Sequence, residues 1–169
     1  LLMRLYKGIL GTEQVKYDQL EEQLQGVFPR SIQRGVSLGR LDARLLTFDL
    51  RRLAGELVVE NDHLFHYLAA QTLADRYLVK DIQSKDILET PQFFWMRVAM
   101  GVALKEDKKE ERAIEFYHMM SRLRYVPSSP TLFNAGMIHS QLSSCFLNTV
   151  PDDLHLIFKS YSDNAQLLK

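Results

Sequence analysis

The sequence predicts a mainly α-helical body followed by a short piece of different texture that reads loop, strand, helix. Three observations carry this. Apolar residues recur at helical spacing over most of the stretch from Tyr17 to Leu123. Pro127 and Pro130 then close the regular pattern, because proline lacks the amide donor and restricts the residue before it. Beyond them lies a strand-like apolar run around Cys145, and the acidic pair Asp152 and Asp153 opens an amphipathic segment.

Residues 1–28 mix apolar and charged residues in a helical rhythm, as in Tyr17, Leu20 and Leu24, and Pro29 and Gly35 punctuate it. Leu41, Leu45, Leu46, Phe48, Leu50, Leu53, Leu57 and Val58 predict a helix over 41–59. The stripe Leu64, Tyr67, Leu68, Leu73 and Tyr77 predicts another over 61–78, with Asn61 or Asp62 as its N-cap. Residues 79–88 read as two short strands around a turn at Gln83–Lys85. A helix begins near Thr90 with Pro91 at its first position, where the missing N–H costs nothing. It is apolar nearly all round, which predicts burial. The charged run Lys105–Arg112 is a solvated turn or helix start, and Ala113, Ile114, Phe116, Tyr117 and Met120 form the inner face of a helix over about 110–123. The last helix carries the stripe Leu154, Ile157, Phe158, Tyr161, Ala165 and Leu168. The chain thus divides into 1–60, a helical extension; 61–138, a helical domain; and 139–169, the strand and helix.

Composition narrows the function classes. The 169 residues are 46% hydrophobic and 25% charged with zero net charge, so no basic footprint points to nucleic acid. The longest apolar run, Phe93–Leu104, is interrupted by Arg97 and falls short of the roughly 18–20 residues of a membrane span. No signal peptide is recognised at the start. One cysteine cannot make an intrachain disulfide, and the expectation is a cytoplasmic protein. One strand and one helix cannot bury both their faces alone. Residues 139–169 are therefore expected to dock on another polypeptide, or the chain is cut from a longer one.

The candidate residues each have a plain reading. Cys145 alone between apolar neighbours is a small buried hydrophobe, Ser143 and Ser144 begin a strand, and Thr131 after Pro130 is a turn residue. Asp152 and Asp153 cap a helix and complement its dipole. His63 and His66 are three apart on one helix face, but no third ligand stands at a recognisable spacing, so they read as helix-surface or core-edge residues and no metal is expected.

A sharper reading comes from the motifs together. PSSPTLFNAG and then LSSCFLNTVPDDLHLIFKS, preceded by DHLFHYLAAQTLADRYLV and ILETPQFFWMRVAMGVAL, resemble the large catalytic subunit of ribonucleotide reductase, in its aerobic class I type. The resemblance covers Asn61 to Lys169. Residues 1–60 match less clearly, and no complete ATP-binding module is recognised there.

The resemblance implies a helical domain followed by the first strand and helix of a ten-stranded α/β barrel, completed by another chain or by further sequence. It implies that Cys145, on that first strand, is one of two reducing thiols, that Ser144 contacts substrate, and that Thr131 helps hold the substrate diphosphate. A deoxynucleoside triphosphate or ATP effector would bind at Asp152, with Asp153 and Leu154 on the base side, beside a homodimer contact through the 153–169 helix. The second thiol and the radical-forming cysteine of the family lie downstream of Lys169. The implied partners are the rest of the large subunit as a separate chain, a radical-generating small subunit that carries the metal, and a thioredoxin-like reductant. Adenosylcobalamin would replace the small subunit in a class II relative. The rival expectation is a non-catalytic helical module that binds nucleotide or a partner.

Overall fold

The computed structural model describes residues 1–168. It is built from eight α-helices among the described residues: α1 (Leu2–Leu10), α2 (Leu20–Ser37), α3 (Leu50–Ala54), α4 (Tyr67–Thr72), α5 (Pro91–Ala103), α6 (Lys109–Ser121), α7 (Ser129–Asn134) and α8 (Leu154–Leu168). One hydrophobic core runs from Leu5 to Ala135.

Helix α5 is its axis. Thr90 caps it by accepting from the Phe93 amide at 3.3 Å, Pro91 fills the first turn, and every residue from Pro91 to Met100 is buried. This is the buried helix that the apolar run predicts. Helix α6 packs along it, placing Ala113, Tyr117 and Met120 inward, and α2 reaches it through Phe28, whose ring meets Phe93 edge-on at 5.1 Å.

Several expectations change. Helix α2 runs straight through Pro29 and Gly35. A proline inside a helix costs about 3 kcal/mol, but burying Leu20, Leu24, Phe28 and Ile32 on one stripe offsets it at about 1.5–3 kcal/mol each. At Gly35 a Cβ would stand 2.5 Å from Leu41 Cδ1, so the glycine lets the chain fold back on its own helix. The helix expected over 41–59 is two pieces, a 3₁₀ turn at Ala43–Thr47 and α3. Asp42 and Asp49 divide it by accepting from the Arg44 and Arg52 amides at 2.8 and 3.0 Å, since a capping carboxylate starts a new turn.

The helix expected from Asn61 or Asp62 begins later. Residues Val59–Leu64 form 3₁₀ turns, α4 starts at Tyr67, and a π-helical turn, Leu73–Tyr77, continues it. Asp62 is not a cap. Its carboxylate is buried, taking hydrogen bonds from Tyr6 Oη and Gln92 Nε2, each at 2.5 Å. Tyr117 Oη donates to Gln92 Oε1 at 2.6 Å and accepts from the Val58 amide at 2.9 Å, so one polar chain links α1, α5 and α6.

The hairpin over 79–88 survives as a short antiparallel pairing. Leu88 donates to Val79 O at 2.8 Å and Asp81 to Asp86 O at 2.9 Å, around a turn with Lys85 at φ 63°. Pro130 does not end regular structure but opens the six-residue α7.

The strand expected through Cys145 is not formed among the described residues. Residues 140–153 carry no ladder, and Phe146, Leu147 and Val150 are exposed. A lone extended segment has no neighbouring strand to take its amides and carbonyls, so nothing holds it as a ladder. Helix α8 follows as expected, with Asp153 as its cap: Asp153 Oδ1 accepts from the Leu156 amide at 3.0 Å. The last residue of the expected 153–169 helix, Lys169, lies outside the described residues.

Candidate functional site

The site grows outward from α5. Arg97, the one charge in that apolar helix, is fully buried. Its guanidinium takes Glu89 in a fork, Nε to Oε2 at 3.0 Å and Nη2 to Oε1 at 3.1 Å. Glu89 Oε1 also accepts from the Val79 amide at 2.9 Å. An unpaired charge at this depth would cost several kcal/mol, and the paired, hydrogen-bonded geometry removes most of that penalty.

The donors of Arg97 also reach the C-terminal end of α7. Nη1 donates to Ala135 O at 2.6 Å and Nη2 to Leu132 O at 3.4 Å. Carbonyls at a helix end have no partner within the helix, and here a buried cation takes two of them. The backbones meet closely beside it. A Cβ on Gly101 would lie 2.1 Å from the Gly136 amide nitrogen, and Gly136 itself has φ 74°, where a side chain is strained.

Thr131 stands on α7, half-buried, in the wall of a cleft of about 490 Å³ bounded mainly by Val102, Met119, Tyr125, Ser128 and Leu142. The cleft is chiefly apolar, with the Ser128 and Thr131 hydroxyls 3.4 Å apart. From here α7 is strapped to the chain that leads to the cysteine. Thr131 Oγ1 donates to Leu142 O at 3.3 Å, Asn134 Nδ2 to Gln141 O at 2.6 Å, and Gln141 Nε2 to Ser143 O at 2.9 Å. Ser144 and Cys145 follow, both exposed, with Oγ and Sγ 4.0 Å apart. The thiol is free.

The structure thus joins Thr131 to the segment three residues before Cys145. Neither Ser144 nor Cys145 lines the cleft. Asp152, Asp153 and Leu154 stand apart at the start of α8, all exposed. That helix is fastened to the preceding segment by Asn148 Nδ2, which donates to Asn164 Oδ1 at 2.9 Å, and by Ser160 Oγ, which lies 3.4 Å from Thr149 O. His63 meets the Tyr17 hydroxyl, and Glu60 is 3.9 Å away. Among the described residues no group of three or more His, Cys, Asp or Glu side chains is placed to hold a metal.

Sequence reasoning passes over Arg97, Glu89, Gly101 and Gly136 as parts of the site. The available signal is the arginine itself, a charge inside a helix whose other positions from Pro91 to Ala103 are almost all apolar.

Comparison with known proteins bears on this arrangement. Residues 63–140 match the family model described as the ribonucleotide reductase all-alpha domain. The ribonucleoside-diphosphate reductase subunit alpha of Chlamydia muridarum is 49% identical over 170 aligned positions, covering 100% of this chain and 16% of that protein. This chain belongs to the ribonucleotide reductase large-subunit family. The subunit alpha of Helicobacter pylori strain 26695 is 41% identical over 122 residues, 72% of this chain and 15% of that protein. The large subunit of Arabidopsis thaliana is 42% identical over 119 residues, 70% of this chain and 14% of that protein. The chain therefore spans about one sixth of the length of the reductase subunits it matches. The reductase all-alpha domain reaches residue 140 and so includes α7, Thr131 and the Arg97 clamp, while Cys145 and α8 fall within the whole-chain match.

Proposed function

We propose that this chain is the N-terminal part of a class I ribonucleoside-diphosphate reductase large subunit, supplying one reducing thiol, part of the diphosphate site and part of the specificity site. The observation that carries this reading is the match to a reductase subunit alpha along the whole chain, Ser-Ser-Cys segment included. The straps from α7 to Leu142 and Gln141 support it, because they bring the Pro-Thr segment and the cysteine segment into one unit.

In this reading Thr131 and Ser144 hold substrate. A hydroxyl beside backbone amides suits a diphosphate oxygen. Cys145 works from the first strand of the barrel, formed when neighbouring strands from the rest of the subunit pair with residues 140–150. The reaction removes the ribose 2′ hydroxyl as water. Cys145 and a second thiol in the rest of the subunit together give up two protons and two electrons, and the two sulfurs end joined as a disulfide. A thioredoxin-like protein then returns both thiols. The radical comes from a separate, metal-containing small subunit. Asp152 accepts from the deoxyribose hydroxyl of a nucleoside triphosphate effector, and Asp153 and Leu154 face its base while Asp153 still caps α8. The face of α8 meets a second large subunit. The reading makes the complex a cytoplasmic enzyme.

Cys145→Ser in the full-length large subunit, assayed with its small subunit and a dithiol reductant, tests the assignment. Serine is close in size but forms no disulfide, so multiple turnover is lost while fold and assembly stay. Normal steady-state turnover in this variant would return Cys145 to the role of a small packing residue.

A further inference from the structure

We infer that Arg97 is a positioning residue for the substrate diphosphate: locked to Glu89 in the core, it grips the carbonyl end of α7 and so fixes where the Thr131 hydroxyl stands. The inference rests on the reading of Thr131 as a diphosphate contact.

Three features point to positioning rather than to core stability alone. A buried ion pair can commonly be replaced by apolar side chains of similar volume with no loss of stability, so stability does not by itself call for Arg97. Glu89 takes only Nε and one hydrogen of Nη2, and of the buried donors it leaves, those that find partners go to one helix end, to Ala135 O and Leu132 O. Helix α7 is also too short to place itself. It has six residues, buries only Leu132, and meets the helical body chiefly through Phe133, whose ring stacks on Tyr77 at 4.4 Å, with the Ser129 hydroxyl 3.4 Å from Tyr77 Oη and the Asp42 amide donating to Gly136 O just past its end at 3.0 Å. Apolar contacts of that kind permit sliding, whereas hydrogen bonds to a fixed guanidinium set a direction. Gly101 and Gly136 bring the two backbones close enough for the grip. Thr131 and Asn134 of α7 in turn hold the extended segment leading to Ser144 and Cys145. A shift at Ala135 therefore moves the diphosphate hydroxyl and the thiol segment together.

The test uses the full-length large subunit with its small subunit. The double variant Arg97→Met with Glu89→Gln removes both charges at once and leaves none unpaired. Thr131→Val is measured beside it. Misplacement of a substrate-holding group by about 1 Å costs up to about 100-fold, so KM for the ribonucleoside diphosphate should rise about tenfold or more in the double variant. Affinity for the triphosphate effector, measured by calorimetry, should stay within about twofold, since its site is elsewhere on the chain. Adding Thr131→Val to the double variant should raise KM little further, because the two act on one contact. A merely structural role lowers the active fraction, and with it kcat, at unchanged KM. Unchanged KM in the double variant with a raised KM in Thr131→Val would overturn the inference and leave the Thr131 reading standing. Unchanged KM in both would overturn both. Should the double variant not fold, Glu89→Gln alone decides. Its neutral amide loosens the clamp, an increase in KM of about threefold is expected, and no change contradicts the proposal.

Discussion

At the scale of single residues, Asp62 shows what burial does to a carboxylate. Enclosure raises its pKa from the usual carboxylate range to about 6, against the opposing pull of hydrogen bonds from Tyr6 and Gln92 and of the nearby His63. Tyr6 is pushed up as well, by its own burial and by the Asp62 charge, and Tyr117 is pushed up by burial with smaller contributions from Asp62 and Glu21. Asp62 binds its proton more tightly in the folded chain than in the unfolded one. Its stabilising contribution is therefore complete below about pH 4 and disappears as pH rises through about 6. The swing is on the order of 3 kcal/mol. Asp62→Asn should flatten the pH dependence of urea-unfolding midpoints between about pH 4 and 6, making the variant relatively more stable at neutral pH. Parallel midpoint curves for the two proteins would contradict this.

Asp152 offers a second test at the same scale. In the proposed reading the exposed Asp152 carboxylate accepts from a ribose hydroxyl, and Asp152→Asn turns it into a weaker, neutral acceptor. Hydrogen bonds to charged groups contribute about 1.5–3 kcal/mol, so effector affinity should fall about tenfold or more in the assembled large subunit. Unchanged binding by calorimetry, with α8 intact, would put the effector elsewhere.

Among the described elements, α8 leaves most of its apolar stripe uncovered, Ile157 alone being half-buried. Leu154 is 71% exposed, Phe158 65% and Tyr161 69%, and within the helix only Ser160 is buried. Each such side chain gains about 1.5–3 kcal/mol when covered, so the stripe should be a contact face. Phe158→Glu in the full-length subunit should weaken its dimer without altering α5, read by sedimentation. A dimer of undiminished affinity would remove α8 from the interface. In this chain alone, amides of 140–168 should exchange fast while those of α5 are the slowest, because stability follows burial.

The elements also show what is legible in sequence. Helices α5, α6 and α8 are readable, since each couples a regular apolar pattern to a clear start: Thr90-Pro91, the acidic run at 110–111, and Asp153. The 41–59 segment misleads because its apolar spacing looks continuous, while Asp42 and Asp49 act locally as caps and divide it. Asp62 misleads in the opposite sense, for a residue type that usually caps is drawn inward by Tyr6 and Gln92, which lie 56 and 30 positions away. The strand expected at Cys145 rests on an apolar run, and the described residues do not form it, because a strand needs neighbours to pair with. The site divides the same way. Thr131, Ser144 and Cys145 stand out through their motif, whereas the clamp that holds α7 depends on the tertiary meeting of Arg97 with Ala135.

At the scale of the whole molecule, the described chain is a closed helical core with an open end. The core from Leu5 to Ala135 buries its own apolar residues, while most apolar residues of 139–168 face solvent, Leu142 being packed against the core. In the proposed reading, this division places the Arg97 clamp and α7 on the helical domain and the reducing thiol, Cys145, on a segment that takes its form from the strands of the rest of the subunit. The central claim is that Cys145 is a reducing thiol, and single-turnover disulfide mapping tests it most directly. Full-length large subunit, pre-reduced and mixed with small subunit, substrate and effector but no external reductant, is quenched after one turnover and its cysteine peptides are analysed by mass spectrometry. The account predicts one new disulfide joining Cys145 to a cysteine downstream of residue 169, formed in proportion to deoxynucleotide. Deoxynucleotide made in that single turnover with Cys145 still a free thiol would contradict it.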